Sequence, residues 1–234
     1  MYDLIVVGGG PAGLTATIYA IRKRLNALLV SKDMGGKTNF RLELPWVEEY
    51  QVIRGREIVN KFRAELEYLD FARHMEPVMQ VSQHQGAFAV HTKGGGEFIA
   101  KAVIIASGTQ HQRLNVPGEK EFLMRGLCYS AVSYAPLFID KTTVVIGDGD
   151  LALRSAGELA TVAEHVHLVG PTGEALATAL GEKLEAAENV TVLKGYQVTE
   201  ILGEDFAERV VVIGPESQEA EIGAEGTFIE MALV

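Results

Sequence analysis

The sequence predicts an α/β protein made of two Rossmann-like, three-layer units, each with strands and helices wound about a parallel sheet. Three observations carry that expectation. Residues 3–32 and 141–170 repeat one plan: an apolar run, a glycine-rich turn, a helix-length segment and a second apolar run. The first runs, 4–7 and 144–146, are too short for helices and abut glycines, which suits buried parallel strands. Elsewhere, short alternating runs split by turn residues point to antiparallel strands.

In chain order, the segment at 12–23 keeps apolar residues at helical spacing without proline and leads to a strand at 27–30. Residues 55–71 place Ile58, Val59, Phe62, Leu66 and Leu69 on one side, an amphipathic helix. Residues 78–108 alternate apolar and polar around Gly86 and the glycines at 94–96, giving antiparallel strands that lead into a buried strand at 102–106. NVPGEKEF, 115–122, reads as a Pro-Gly linker. The second copy follows with a helix at 151–163, then the short β-rich runs NVTVLKG, QVTEIL and RVVVIG. The last nine residues, GTFIEMALV, stop inside an apolar run. Expected domains are 1–116 and 117–229, with 230–234 starting a return to the first.

Composition narrows the function. With 47% apolar and 22% charged residues in 234, the chain is an ordinary globular protein. No apolar stretch reaches the roughly 18 residues of a membrane span, and MYDLIVVGGG has no basic region before its apolar run, so no membrane partner is expected and the cytoplasm is the default. A single cysteine, Cys128, excludes an intrachain disulfide, and with six scattered histidines no zinc spacing exists, so no metal is expected. A net charge of −10 without a basic cluster excludes a nucleic-acid footprint and favours solubility.

Gly8, Gly10 and Gly13 form G-x-G-x-x-G between a strand and a helix, where glycines permit the tight turn, close approach to a pyrophosphate and close packing, while the helix N-terminus offers free N–H groups. A bound dinucleotide is therefore expected here. At the tip of the second strand, where an acid usually holds the ribose, stands Ser31, a weaker hydroxyl partner. In the second copy Gly147, Gly149 and Ala152 form G-x-G-x-x-A, but Asp148 and Asp150 put carboxylates where a pyrophosphate must sit.

VVGGGPAGLTATIYAIRK, GGKT at 35–38, AVIIASG at 102–108, VPGEKEF at 116–122, RGLCYSAVSYA at 125–135 and VVIGDGDLA at 144–152 follow the order and spacing of the low-molecular-weight thioredoxin reductases. The chain resembles that family over nearly its whole length. The resemblance implies an FAD domain interrupted by an NADPH domain, hinges near Pro117 and the C-terminal end, and a homodimer. It places FAD on Gly8, Gly10, Pro11, Ala12, Gly13, Ser31, Lys32, Gly35, Gly36, Lys37, Val78, Ala106, Ser107 and Gly108, and a nicotinamide dinucleotide on Gly147, Gly149, Asp150 and Ala152.

The departures decide the chemistry. Where the family writes Y-C-A-T-C-D-G, this chain writes Tyr129-Ser130-Ala131-Val132-Ser133-Tyr134-Ala135, so both redox cysteines are serines and the proton-donating aspartate is a tyrosine. A serine forms neither a thiolate near neutral pH nor a disulfide, which closes dithiol exchange. Cys128 lies two residues before the first of these positions and reads as a small apolar residue. Neither serine lies in a nucleophile elbow, so hydrolysis is not expected. Residues 167–176, HLVGPTGEAL, hold no arginine where NADPH users present several, which disfavours NADPH and leaves NADH open. The family's final segment, with a Gly-Asp pair on the flavin ribitol, is absent, and a fragment of a longer chain is the favoured reading. The expected function is an FAD oxidoreductase that passes electrons to an acceptor other than thioredoxin, with or without a protein redox partner. A degenerate nucleotide-binding protein is the alternative, and an active thioredoxin reductase the third reading.

Overall fold

A computed structural model describes residues 1–40, 42–47, 55–84 and 86–231. The chain forms two compact units, Met1–Arg41 with Glu49–Gly108, and Leu42–Glu48 with Thr109–Val234. Leu114 and Val116 pack against a core of the second unit, so this division falls ahead of 116/117.

The first unit opens with β1 (Tyr2–Val7), α1 (Pro11–Arg22) and β2 (Ala27–Val30). Pro11 starts the helix with the required φ and no N–H to leave unpaired. Helix α2 (Gly55–Glu67) follows, then β3 (Arg73–His74), β4 (Val78–His84), β5 (Ala87–Thr92) and β6 (Glu97–Ile105). The sheet order is β3-β2-β1-β6-β5-β4, parallel from β3 to β6 and antiparallel beyond. Strand alternation sorts the layers. Leu4 and Val6 of β1 meet Leu14 and Ile18 of α1 and Val59 and Leu66 of α2, while Ile5 and Val7 meet Val78, Val90 and Phe98 of the meander. Helices, parallel sheet and meander make the three layers expected.

Two details differ from the sequence reading. The strand expected to be buried at 102–106 is instead the open end of β6, with Ile105 60% exposed. Strand β5 pairs with β6 only between Glu97 and Ala100, so the residues beyond have β1 on one side alone. Helix α2 stops at Glu67, and a 3-10 turn at Asp70–Ala72 carries the chain to β3 beside β2. The side chain of Ile58 lies outside the described residues.

The second unit contains α3 (Glu119–Phe122), β7 (Leu127–Cys128), α4 (Ala131–Tyr134), β8 (Thr142–Ile146), α5 (Asp150–Ala160) and β9 (His165–Val169). Short helices α6 (Gly173–Leu176) and α7 (Ala179–Glu185) lead to β10 (Val190–Leu193), then β11 (Gln197–Gly203), β12 (Ala207–Ile213), β13 (Glu219–Gly223) and β14 (Gly226–Ile229). Five parallel strands run β10-β9-β8-β14-β7, and β11-β12-β13 form a separate antiparallel sheet. Leu153 and Leu159 of α5 pack with Leu184, Val145, Leu168 and Phe228 on one face, and Val210 and Val212 of β12 pack with Val144, Ile146 and Ile229 on the other. The terminal apolar run thus contains an interior strand, between β8 and β7 and buried along its length, which explains its composition. Residues 115–122 are more than a linker, because Glu119 and Phe122 of α3 are buried. Among the described residues no helix is long and apolar enough to cross a membrane.

Phe138 closes the helical face of this unit. It is fully buried, edge-on to Trp46 at 5.8 Å and to Phe228 at 5.0 Å, and its ring fills the space a side chain at Gly226 would need. Phe138→Ala is expected to cost about 3–5 kcal/mol through lost burial and the cavity left behind. Chemical denaturation checks this, and Phe138→Leu is expected to lose less.

Candidate functional site

At the carboxyl ends of β1, β2 and β6 the first glycine turn is knit to its neighbours by backbone bonds. Gly8 N–H donates to Val30 O (2.9 Å), Ala106 N–H to Val7 O (2.8 Å) and Gly35 N–H to Gly9 O (2.7 Å). Gly8 has φ +108° and a Cβ there would fall on the Ala106 carbonyl, while one at Gly13 would fall on the Gly8 carbonyl. The turn fits only without side chains. Gly10 instead faces open space, and it caps α1 with no side-chain hydrogen bond and no acid in the first turn. A helix N-terminus left in this state suits an anion.

Ser31, expected to meet a ribose, is buried and already engaged: its hydroxyl accepts from Gly9 N–H at 2.8 Å and donates to Asp33 O at 2.7 Å. It braces the turn from below, so its proton is not available to a ligand. Asp33 Oδ1 in turn accepts from Gly36 N–H at 3.3 Å. Pro11 and Ala12 are exposed at the head of α1, and Lys32 and Lys37 are exposed beside the turn. Ser107 and Gly108 follow Ala106, both exposed. Val78 lies apart, packed under β1 and β2 on the meander side, where it faces Thr92 across the β4–β5 ladder.

The second turn repeats the plan with different electrostatics. A Cβ at Gly147 would fall on the Glu230 carbonyl and lie 2.7 Å from the Ala152 methyl, so Ala152 fills the space glycine holds in the first turn. Gly149 faces open space and caps α5 without a side-chain bond. Asp148 and Asp150 are exposed at this end, and Asp150 Oδ2 pairs with Arg154 Nε at 2.8 Å. An exposed pair of this kind is worth little, so the turn keeps an acidic character. Beyond β9, Thr172 caps α6 through Ala175 N–H, and Lys194 Nζ stands 3.2 Å from where a Cβ on Gly173 would be.

Between β7 and β8 the chain makes the single turn of α4. Ser130 Oγ donates to Ser133 Oγ at 2.9 Å, with Ser133 exposed and Ser130 half-buried. Beneath them lies a group the sequence reading passed over. Glu230 follows β14, is 3% exposed, and its Oε1 accepts from Ala131 N–H at 2.7 Å and from Ser155 Oγ at 2.9 Å. Burial pushes its carboxyl above the usual range, and the two hydrogen bonds only partly oppose this. Cys128 is wholly buried, and burial together with the Glu230 charge pushes its thiol up to about 12. It is inert as a nucleophile at neutral pH. Glu119 is a second buried carboxylate, accepting from Tyr129 Oη at 2.8 Å and from the backbone N–H of Asn115 at 2.7 Å. A lone acid inside an apolar run was the available signal for Glu230, since such a residue must find partners when the run is buried.

Two glycine turns at the switch points of two parallel sheets agree with what known proteins show. The sequence profile of the pyridine nucleotide-disulphide oxidoreductases matches residues 2–231. The chain belongs to that family. A thioredoxin reductase of Ureaplasma parvum is 33% identical over 98% of this chain and 75% of its own length. An NADH dehydrogenase of Bacillus subtilis is 29% identical over all of this chain and 46% of its own length. The chain therefore spans about half the length of that second relative. The crystal structure of a Streptococcus pyogenes thioredoxin reductase superposes on all of it with a TM-score of 0.84 at 28% identity, covering 77% of that chain. This is a thioredoxin reductase-like member of the family, and the family implies flavin and pyridine nucleotide use.

Two outcomes follow from the geometry around Ser130, Ser133 and Glu230. In the double variant Ser130→Cys with Ser133→Cys, the short Oγ separation is expected to let a disulfide close. Thiol titration of the unfolded protein should then find only Cys128 after oxidation and all three thiols after reduction. For Glu230, the folded carboxyl holds its proton more tightly than the unfolded one, whose pKa is near 4.5. The neutral form's stabilisation is complete below that value and is lost as pH rises through the folded pKa. Denaturation midpoints of wild type and Glu230→Gln are therefore expected to diverge with rising pH, in favour of the glutamine variant.

Proposed function

We propose that this chain is the nucleotide-binding part of a flavoprotein oxidoreductase that does not use a dithiol and delivers its electrons to an acceptor other than thioredoxin. One observation carries the reading: the first glycine turn is fully formed and open at Gly10, while hydroxyls occupy Ser130 and Ser133. FAD, when bound, supplies the redox centre. Its pyrophosphate fits the end of α1, where Ala12 and Gly13 offer backbone N–H groups, Gly36 and Gly10 admit close approach, and the first turn of the helix holds no acid. Ser31 and Asp33 hold that turn in shape rather than touching the ligand. Lys32 and Lys37 add positive charge at the rim.

NADH is the favoured donor. The second turn has the same backbone plan, residues 167–176 contain no arginine for a 2′-phosphate, and a relative carries the name NADH dehydrogenase. Disulfide reduction through this chain is chemically closed, because the serine hydroxyls cannot shuttle electrons and Cys128 is buried without a partner thiol. A homodimer in the cytoplasm is part of the proposal, on the resemblance to thioredoxin reductases.

A second reading, a non-catalytic nucleotide-binding protein, is favoured by Asp148 and Asp150 at the second turn. An absorbance scan from roughly 350 to 500 nm followed by anaerobic titration separates the two. Bound flavin bleached by NADH, with NADPH at least tenfold less effective, is the expected result. Flavin that no nicotinamide reduces would leave the binding protein, and an absence of flavin at any added FAD concentration would overturn the oxidoreductase. Thioredoxin-coupled insulin reduction at a normal rate would refute the closure of dithiol chemistry.

A further inference from the structure

We propose that Glu230 is a positioning residue that ties the second glycine turn to the turn carrying Ser130 and Ser133, so that a nucleotide seated on the first is felt at the second. The inference rests on the reading of residues 147–152 as a nucleotide seat.

Three elements converge on this one residue. Its backbone N–H donates to Ile146 O at 2.7 Å, and its carbonyl occupies the space that Gly147 leaves by lacking a side chain. The turn cannot shift without moving the tip of β14. Its carboxylate then reaches two helices at once, since Oε1 accepts from Ala131 N–H at the start of α4 and from the Ser155 hydroxyl in α5. Ser155 is itself fully buried, on the helix that starts at the glycine turn. Losing either bond leaves a buried polar group unsatisfied, so the three parts are held to one geometry.

Glu230 is costly where it stands, with Phe228 and Ile229 fully buried before it and no ion pair to it among the described residues. A one-turn helix such as α4 is the cheap element to rearrange, because it has few internal bonds to lose. Movement of β14 at the glycine turn therefore passes to the 130–133 turn through a short, direct path. Coupling of this kind is reciprocal, so changes at the serine turn alter nucleotide affinity by the same factor.

Hydrogen–deuterium exchange on the full chain, with and without saturating NADH, tests this in wild type, Glu230→Gln, Glu230→Ala and Ser155→Ala. In wild type, NADH is expected to slow exchange both at 147–156 and at 129–135. Glu230→Ala is expected to raise exchange at 129–135 about tenfold without nucleotide and to abolish the NADH effect there, while Glu230→Gln, which keeps an acceptor oxygen, retains it. Protection by NADH confined to 147–156 in wild type, or transmitted equally in Glu230→Ala, overturns the inference. Protection at neither segment refutes the nucleotide seat instead. The nucleotide-free arm then decides, through Ser155→Ala as well if the alanine variant at 230 does not fold: unchanged exchange at 129–135, measured against residues 109–116 as control, overturns the tie.

Discussion

In each unit a glycine turn is pressed against the tip of the strand on its far side, and there is no room for a Cβ at the contact. Gly8 lies on the Ala106 carbonyl, and Gly147 lies on the Glu230 carbonyl. Because β1 has β2 on one side and β6 on the other, and β8 has β9 and β14, the contact falls where the strand order reverses. The helix that follows is thereby aimed with its free N–H groups over the carboxyl ends of the sheet. The position of the turn and the direction of the helix depend on this close approach, which a single methyl group would spoil.

The same backbone plan serves two different electrostatic situations. The first turn is lined by backbone donors and braced by Ser31, whose hydroxyl is consumed by Gly9 and Asp33. The second carries Asp148 and Asp150 at its mouth and Glu230 behind it, with Arg154 as an exposed counter-charge. The backbone plan is therefore common to both, while the first turn of the following helix holds no acid in the one and Asp150 in the other. Family membership accounts for the shared geometry, and this chain's own residues account for the contrast.

Ser130 and Ser133 lie within hydrogen-bonding distance at the head of α4, the arrangement a dithiol would need, yet a hydroxyl pair has no accessible oxidised form. Cys128 does not compensate. It packs with Phe138, Ala131 and Val145 in the core, and its raised thiol pKa follows from that burial.

Much of this was legible in the sequence. The repeated strand–glycine–helix pattern revealed both units, because strand, turn and helix signals are local and agreed with one another. The strand at 27–30 and the position of Gly13 needed nothing more. Partners brought together from distant parts of the chain were not legible. The hydrogen bonds of the Ser31 hydroxyl with Gly9 and Asp33 leave no trace in the sequence, and the 102–106 strand reads as buried until β5 is seen to stop short of it. Glu230 looks like an interruption of an apolar run, and only tertiary structure sets it against Ala131, 99 residues away, and Ser155, 75 residues away. Periodicity records which side of an element is apolar, whereas the fate of a buried polar group depends on what the rest of the chain places beside it.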